Sequence, residues 1–419
     1  MNEQTATPTQ EAPHKKASPL RGLLVPLLAI VTAMILGAIV IITTNESVYE
    51  TLQTRGLVAA IGRSFEVIWV AYGAFFMGAF GDPQRMIQGL GEWISTGDGT
   101  RWLRSLYPIT ETLRYTTPYI FAGLAVAVGF RGGLFNIGAE GQYFISGLTT
   151  VFVGFALKGM PWFIHLPVAI IAGVAGGALW AAIPGLLKAK TGAHEVINTI
   201  MMNYIAIRIA DFMLDVGGPL SRGDGRPVSP FIETSAHLPQ FFPSNSEIRF
   251  NMGFIMALLA AWFVYWLLFK TTLGYEIRTV GQNPRAAKYA GMSVSKTIVL
   301  TMVISGGLAA LAGVTDILGV LRFMPNAFSA GYGFDAIALA LLGNSHPMGV
   351  VLASLLFGAL RAGARNMQGV ARVPLDITAI LQGLIIIFIA APAIIRSLYR
   401  LRETDTGDEI VLTRGWGQV

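Results

Sequence analysis

Apolar runs long enough to cross a bilayer alternate along this chain with short polar or basic stretches. The first, Leu23–Thr43, is uncharged and matches the ~20 residues that a spanning helix requires. It is too long for a signal-peptide core, and no small-residue cleavage site follows it, so it reads as a retained span. Further runs lie at Thr116–Phe130, Tyr143–Leu157, Leu166–Leu187, Val196–Val216 and Met252–Phe269. The last four are Thr297–Val320, Phe334–Leu342, Met348–Leu360 and Ile377–Ile395. The pattern predicts an all-α, polytopic membrane protein of about ten transmembrane helices. Several runs fall short of ~20 residues, so some helices must be broken, re-entrant or buried in protein rather than lipid. Phe65–Phe80 carries Glu66 and ends in Gly-Asp-Pro, and it is expected to be an interfacial helix on the outer face.

With ten spans both chain ends share the cytoplasmic side. Residues 1–22 are then a polar, disordered cytoplasmic tail, 23–396 a transmembrane domain, and 397–419 a cytoplasmic C-terminal extension. Lys15, Lys16, Arg21, Lys188 and Lys190 fall inside, as the positive-inside rule asks. Residues 45–115 and 217–251 are expected as outer loops, and 270–296 as a cytoplasmic loop. Arg361, Arg365 and Arg372 disturb this scheme, because they fall in what reads as a short outer loop.

Composition narrows the function classes. Hydrophobic residues make up 53% of the 419 and charged residues 13%, about half the ~25% of soluble domains. The net charge of +6 is carried mainly between apolar runs, which argues against nucleic-acid binding. There is no cysteine, hence no disulfide framework, thiolate metal site or thiol nucleophile. The five histidines are scattered, and no phosphate loop is present: Lys190-Thr191 lacks the glycines that would precede it. The string Ile304–Leu308 resembles an ATPase signature loop, but its glycines sit inside an apolar run, where they serve close helix packing.

Three polar segments carry the candidate chemistry. Arg131–Gln142 (RGGLFNIGAEGQ) sets Asn136, Glu140 and Gln142 among four glycines at the junction of two spans. Polar side chains at membrane depth are costly unless buried in protein or facing a watery path, and a broken helix frees backbone groups to bind a solute. A plain cytoplasmic turn with a solvated Glu140 fits the spacing equally well. In the second segment Glu195, Thr199, Asn203 and Asp211 follow one helix face, with Asn198 beside Glu195 and Arg208 placed to pair with Asp211. This face either lines a path or bonds neighbouring helices. The third segment, Gly274–Ser293, is either an ordinary basic cytoplasmic loop or, as its punctuation suggests, a short helix preformed for docking. Asn283 is its N-cap, Pro284 its first residue and Gly291 its positive-φ terminator.

At these segments the sequence resembles a known family. TTPYIFAGLAVAVGFRGGLFNIGAEGQ, GAHEVINTIMMNYIA and GYGFDAIALALLGNSHPMGVVLASLLFGAL are similar to the permease subunits of ATP-binding-cassette importers. The group in question serves ribose, branched-chain amino acids and nucleosides, and the likeness is to its nucleoside and simple-sugar branch. It covers roughly Glu111 to Ile395. It implies a bacterial inner-membrane pore made with a second permease chain, identical or different. Two cytosolic ATP-binding subunits would hold the ATP and magnesium, leaving this chain no cofactor of its own and no enzymatic activity. A periplasmic or lipid-anchored binding protein would deliver the solute. The short helix matches the family's ATPase-coupling segment, with Gly281, Asn283, Pro284, Arg285, Ala286, Ala287 and Gly291 as its residues. Candidate translocation-path residues are Phe135, Asn136, Glu140, Gln142, Asn198, Asn203 and Asp335. The alternative class is an ion-gradient-driven secondary transporter, for which Glu195, Asp211, Asp316 and Asp335 would supply acidic ion ligands. The capped helix separates the two, since a secondary transporter has no use for it.

Overall fold

The computed structural model describes residues 19–242 and 248–401. Most of the expected N-terminal tail, including Lys15 and Lys16, and nearly all of the C-terminal extension lie outside the described residues. Among the described residues the chain is helical, with two isolated β-bridges, Val228–Pro325 and Gln240–Asn251, in its irregular segments. Seven helices are long and apolar enough to cross a membrane, or eight if one bent pair counts as a single span.

The N-terminal third departs from the expected loop. Helix α1 (Pro19–Thr44) and the short α2 (Glu46–Arg55) lead into α3 (Leu57–Phe80). At 24 residues, α3 is longer than the expected interfacial helix over 65–80 and is long and apolar enough to cross a membrane. Glu66, which counted against a span, is paired with Arg63 at 2.8 Å one turn earlier. The amphipathic helix is the next one, α4 (Pro83–Thr96), capped by Asp82 and exposing Ile87, Trp93 and Ile94. With α3 among the candidate spans, the parity that set both chain ends on one side loses its basis.

The short α5 (Thr100–Ser105) precedes the core, which is built on α6 (Tyr107–Arg131), α7 (Ala139–Ala156), α8 (Trp162–Thr191) and α13 (Val294–Asp316). Helices α6 and α7 are more polar than the candidate spans, yet every residue of α6 from Tyr115 to Gly129 is buried. They are the protein-enclosed helices that the short runs demanded. Glycine permits the closest approaches. A Cβ on Gly177 of α8 would lie 2.6 Å from the Ala310 Cβ, and one on Gly306 of α13 would lie 2.7 Å from the Gly177 carbonyl. The glycines of 304–308 therefore serve packing, as their apolar surroundings imply. Outside this core, α8, α9 (Glu195–Leu214) and α10 (Gly253–Lys270) expose large apolar side chains such as Leu179, Tyr204 and Trp262, as lipid-facing helices do.

The C-terminal part carries the breaks. A π-helical turn, Ile317–Leu321, ends α13, and the irregular stretch 322–331 returns the chain to the 11-residue α14 (Tyr332–Leu342). Helix α15 runs from Pro347 to Ala371. Arg361 and Arg365, read from sequence as loop residues, are therefore inside a helix. Helices α16 (Leu375–Ala390) and α17 (Pro392–Leu398) follow, and Pro392 begins the second at a bend of 83°.

Candidate functional site

The break between α6 and α7 brings the first group of candidates together. The Asn136 amide donates to Gln142 Oε1 at 3.0 Å and to Ser305 Oγ at 2.8 Å, and Asn136 Oδ1 accepts from Gly138 N and Gln142 Nε2. From α9, Asn203 accepts from Gly141 N at 2.8 Å and donates to the Ile137 carbonyl at 2.9 Å. A helix break leaves backbone groups without partners, and here side-chain amides supply them. Asn136, Gln142 and Asn203 are each at most 2% exposed. In this conformation they hold the break shut and face no open path. Phe135 is half-buried with its ring 4.9 Å from that of Phe130. Asn198 lies outside the knot, its buried amide nitrogen without a hydrogen-bond partner.

Glu140 goes elsewhere. Its Oε2 accepts from Gly333 N at 2.8 Å, at the start of α14, whose own N-cap residue, Gly331, offers no side-chain bond. A carboxylate from α7 thus satisfies an orphan amide at the positive end of α14. At the other end Arg131 donates to the carbonyls of Ser345 (3.0 Å) and Asn344 (3.2 Å). The two residues flanking the α6–α7 break therefore grip both ends of α14.

Asp335 belongs to a second cluster, which sequence reasoning largely missed. Tyr119 of α6 donates to Asp335 Oδ2 at 2.8 Å, and Arg361 of α15 donates to Tyr119 Oη at 2.8 Å and to the Ala330 carbonyl at 2.9 Å. Beside it, Tyr143 donates to Asp316 Oδ2 at 2.6 Å, and its ring stacks on Phe328 with centroids 4.5 Å apart. Arg361 lies over the Tyr332 ring at 4.9 Å. The misplaced arginines were the available signal: charges breaking a topology pattern belong inside the protein, paired.

The acids of the ion-coupling alternative are already engaged. Glu195 pairs with Lys188 at 2.9 Å, and Asp211 with Arg208 at 3.0 Å, the pair that the spacing predicted.

The coupling segment follows α11 (Thr272–Gln282) as α12 (Pro284–Tyr289). Asn283 Oδ1 accepts from Arg285 N and Ala286 N, both at 3.0 Å, Pro284 opens the helix, and Gly291 has φ +81°. Ala286, Lys288 and Tyr289 face outward, with Tyr289 95% exposed. Ala287 is fully buried against its own chain, so it is not the residue that a partner would touch. Behind the helix Gly281 packs on the α6–α7 break: a Cβ there would lie 2.7 Å from Gly133 N.

Residues 108–390 match the family described as branched-chain amino acid transport system / permease component. The chain belongs to this permease family. Among similar proteins, the guanosine ABC transporter permease protein NupP of Bacillus subtilis is 38% identical over 90% of this chain and 95% of its own. The nucleoside ABC transporter permease protein NupB of Lactococcus lactis subsp. cremoris is 32% identical over 94% and 98%. A glucose ABC transporter permease protein, TsgB13 of Haloferax volcanii, is 35% identical over 68% and 77%. No solved structure matches. This permease is therefore a multi-pass membrane component of an ABC importer, and the α6–α7 break and the 322–331 stretch both fall within the matched region.

Proposed function

We propose that this permease carries nucleosides across a bacterial inner membrane as one of two permease chains around a shared path. Cytosolic ATP-binding subunits, which hold the ATP and magnesium, drive it, and a periplasmic or lipid-anchored protein delivers the solute. The observation that carries the ATP-driven reading is α12: a capped helix too short to persist alone in water, exposed on one side and directly preceded by α11, whose Gly281 packs backbone to backbone on the α6–α7 break. The nucleoside reading rests on the two relatives that align with nearly the whole chain.

In this reading the ATPase closes on Ala286, Lys288 and Tyr289, and the push enters the path through Gly281 and Gly133. The break transmits it to α14, which Arg131 and Glu140 hold at both ends. The test is radiolabelled guanosine uptake into vesicles reconstituted with the permease, its ATPase and its binding protein. Uptake is expected to need ATP hydrolysis and to persist when ion gradients are collapsed. Uptake that follows an imposed ion gradient without ATP would support the secondary-transporter class instead.

A further inference from the structure

The aromatic pair Tyr143–Phe328 has a geometry that packing alone does not require. Phe328 sits in the ten-residue stretch 322–331, which is neither helix nor strand and begins with Arg322 in the left-handed region (φ +64°). It ends at Gly331, with φ +84° and open space around its missing Cβ. The Phe328 ring lies nearly parallel to that of Tyr143, at 20°. It fills a slot that Gly147 leaves open, since a Cβ there would lie 2.6 Å from the ring. Hydrogen bonds hold the stretch to neighbouring segments on either side of Phe328: Met324 with Ser229, Asn326 N to the Pro227 carbonyl, and the Ala330 carbonyl with Arg361.

Beneath the stack the Tyr143 hydroxyl is fixed by Asp316. Asp335 and Arg361 stand near the same ring system, bonded to Tyr119 and over Tyr332. A flat π-face held by one carboxylate, adjoining at 5.9 Å a tyrosine that lies under a guanidinium, suits a purine or pyrimidine base: stacking on the face, with base N–H groups given to a carboxylate oxygen. A buried Asp316 beside a mostly buried Asp335 would be a poor choice for a core built only for stability, where apolar residues of similar volume do as well or better.

We infer that Tyr143 is the stacking platform for the base of the transported nucleoside, and that Phe328 occupies this platform when the path is empty. The inference rests on the nucleoside reading above. Phe328 leaves by a swing of residues 327–329, the part of the stretch between the hydrogen bonds at Asn326 and Ala330, and the base takes its place. Asp316 holds the platform ring in orientation, and Asp335 is the acceptor for base N–H groups. The sugar has no part in this contact, so the site distinguishes nucleosides from free pentoses.

The experiment uses the complete complex in membrane vesicles, photolabelled with 8-azidoguanosine during turnover, beside guanosine uptake. Label is expected in the peptide containing Tyr143 or in the one containing Phe328, with excess guanosine but not ribose competing. Tyr143→Leu is expected to reduce labelling at least tenfold, equivalent to about 1.4 kcal/mol of binding. Tyr143→Phe, which keeps a ring, retains more than half. Phe328→Leu, which removes the competing ring, raises labelling at least threefold, and it decides the matter if Tyr143→Leu fails to assemble. Label confined to other helices, or labelling unchanged in Phe328→Leu, overturns the platform. A wild-type complex that takes up no nucleoside overturns the substrate reading instead, and uptake of guanosine with label elsewhere overturns the platform alone.

Discussion

Gly133 and Gly281 meet backbone to backbone. A Cβ on Gly133 would lie 2.9 Å from the Gly281 Cα, and one on Gly281 would lie 2.7 Å from Gly133 N. Neither neighbour is the flexible end of a side chain, so nothing can swing aside. A movement of α11 and α12 must displace the α6–α7 break, and with it the Asn136 knot.

Gly281→Val is accordingly expected to disable the permease. Overpacking of this kind costs typically about 1–3 kcal/mol, and here it acts at the joint between the coupling helix and the path. ATP-driven uptake should fall at least tenfold, with a lower unfolding midpoint in detergent. Gly62→Ala is the control: no atom lies within 4 Å of its Cβ, and alanine suits a helix interior better by about 1 kcal/mol. Normal uptake by Gly281→Val would remove the joint from the mechanism.

The Asn203 amide decides between lining and structure. Asn203→Ala strips Gly141 N and the Ile137 carbonyl of their partners in a buried place. Each orphaned group costs about 1–3 kcal/mol. Stability and uptake are expected to fall together, measured by unfolding midpoint and vesicle uptake, whereas a pure path residue would lose uptake at unchanged stability.

Much of this was readable in the sequence wherever the interaction is local. The α12 cap is set by Asn283 and the two residues after Pro284, and the Arg208–Asp211 pair by one helical turn, so spacing alone found both. Spacing also proposed the α6–α7 break from its glycines, but not which atoms close it: Ser305 and Asn203 arrive from α13 and α9. Arg361 was misplaced for the same reason. Its partners Tyr119 and Ala330 are 242 and 31 residues away, so in one dimension it looked like an unpaired charge at the end of a span. The facing of Ala287 was equally hidden, since six residues of helix give no periodicity from which to read a buried side.

That facing changes which substitution tests the partner contact. Ala287→Glu would bury a charge in its own chain, and it is expected to lower the yield of folded protein rather than release an ATPase. Ala286→Glu and Tyr289→Ser alter the exposed side, and they should give folded, membrane-inserted protein with at least fivefold weaker ATPase co-purification. Asn283→Ala removes the cap at a cost of about 1 kcal/mol, and it should weaken association by less than the surface changes. Full association in both surface variants would leave α12 a solvated connector.

The Arg361 cluster supplies a test that separates charge balance from the loss of any single group. Arg361 bonds Tyr119 and the Ala330 carbonyl, while Asp335 accepts from Tyr119 and, at 3.3 Å, from Gln382. The guanidinium and carboxylate stand 3.9 Å apart, with about a quarter of each side chain exposed, so their direct attraction is partly screened. Removing Arg361 alone leaves Asp335 without its cation and the Ala330 carbonyl without its donor. Breaking a fully buried pair costs about 3–5 kcal/mol, and partial exposure puts this case below that range. Arg361→Met is therefore expected to lower the unfolding midpoint and abolish uptake. Asp335→Asn keeps an acceptor for Tyr119 and should be the milder change. The double variant, Asp335→Asn with Arg361→Met, should be more stable than Arg361→Met alone, because no uncompensated carboxylate remains. A double variant as unstable as the sum of the two singles would mean that Arg361 serves through its bond to Ala330, holding the 322–331 stretch, and not through the charge of Asp335.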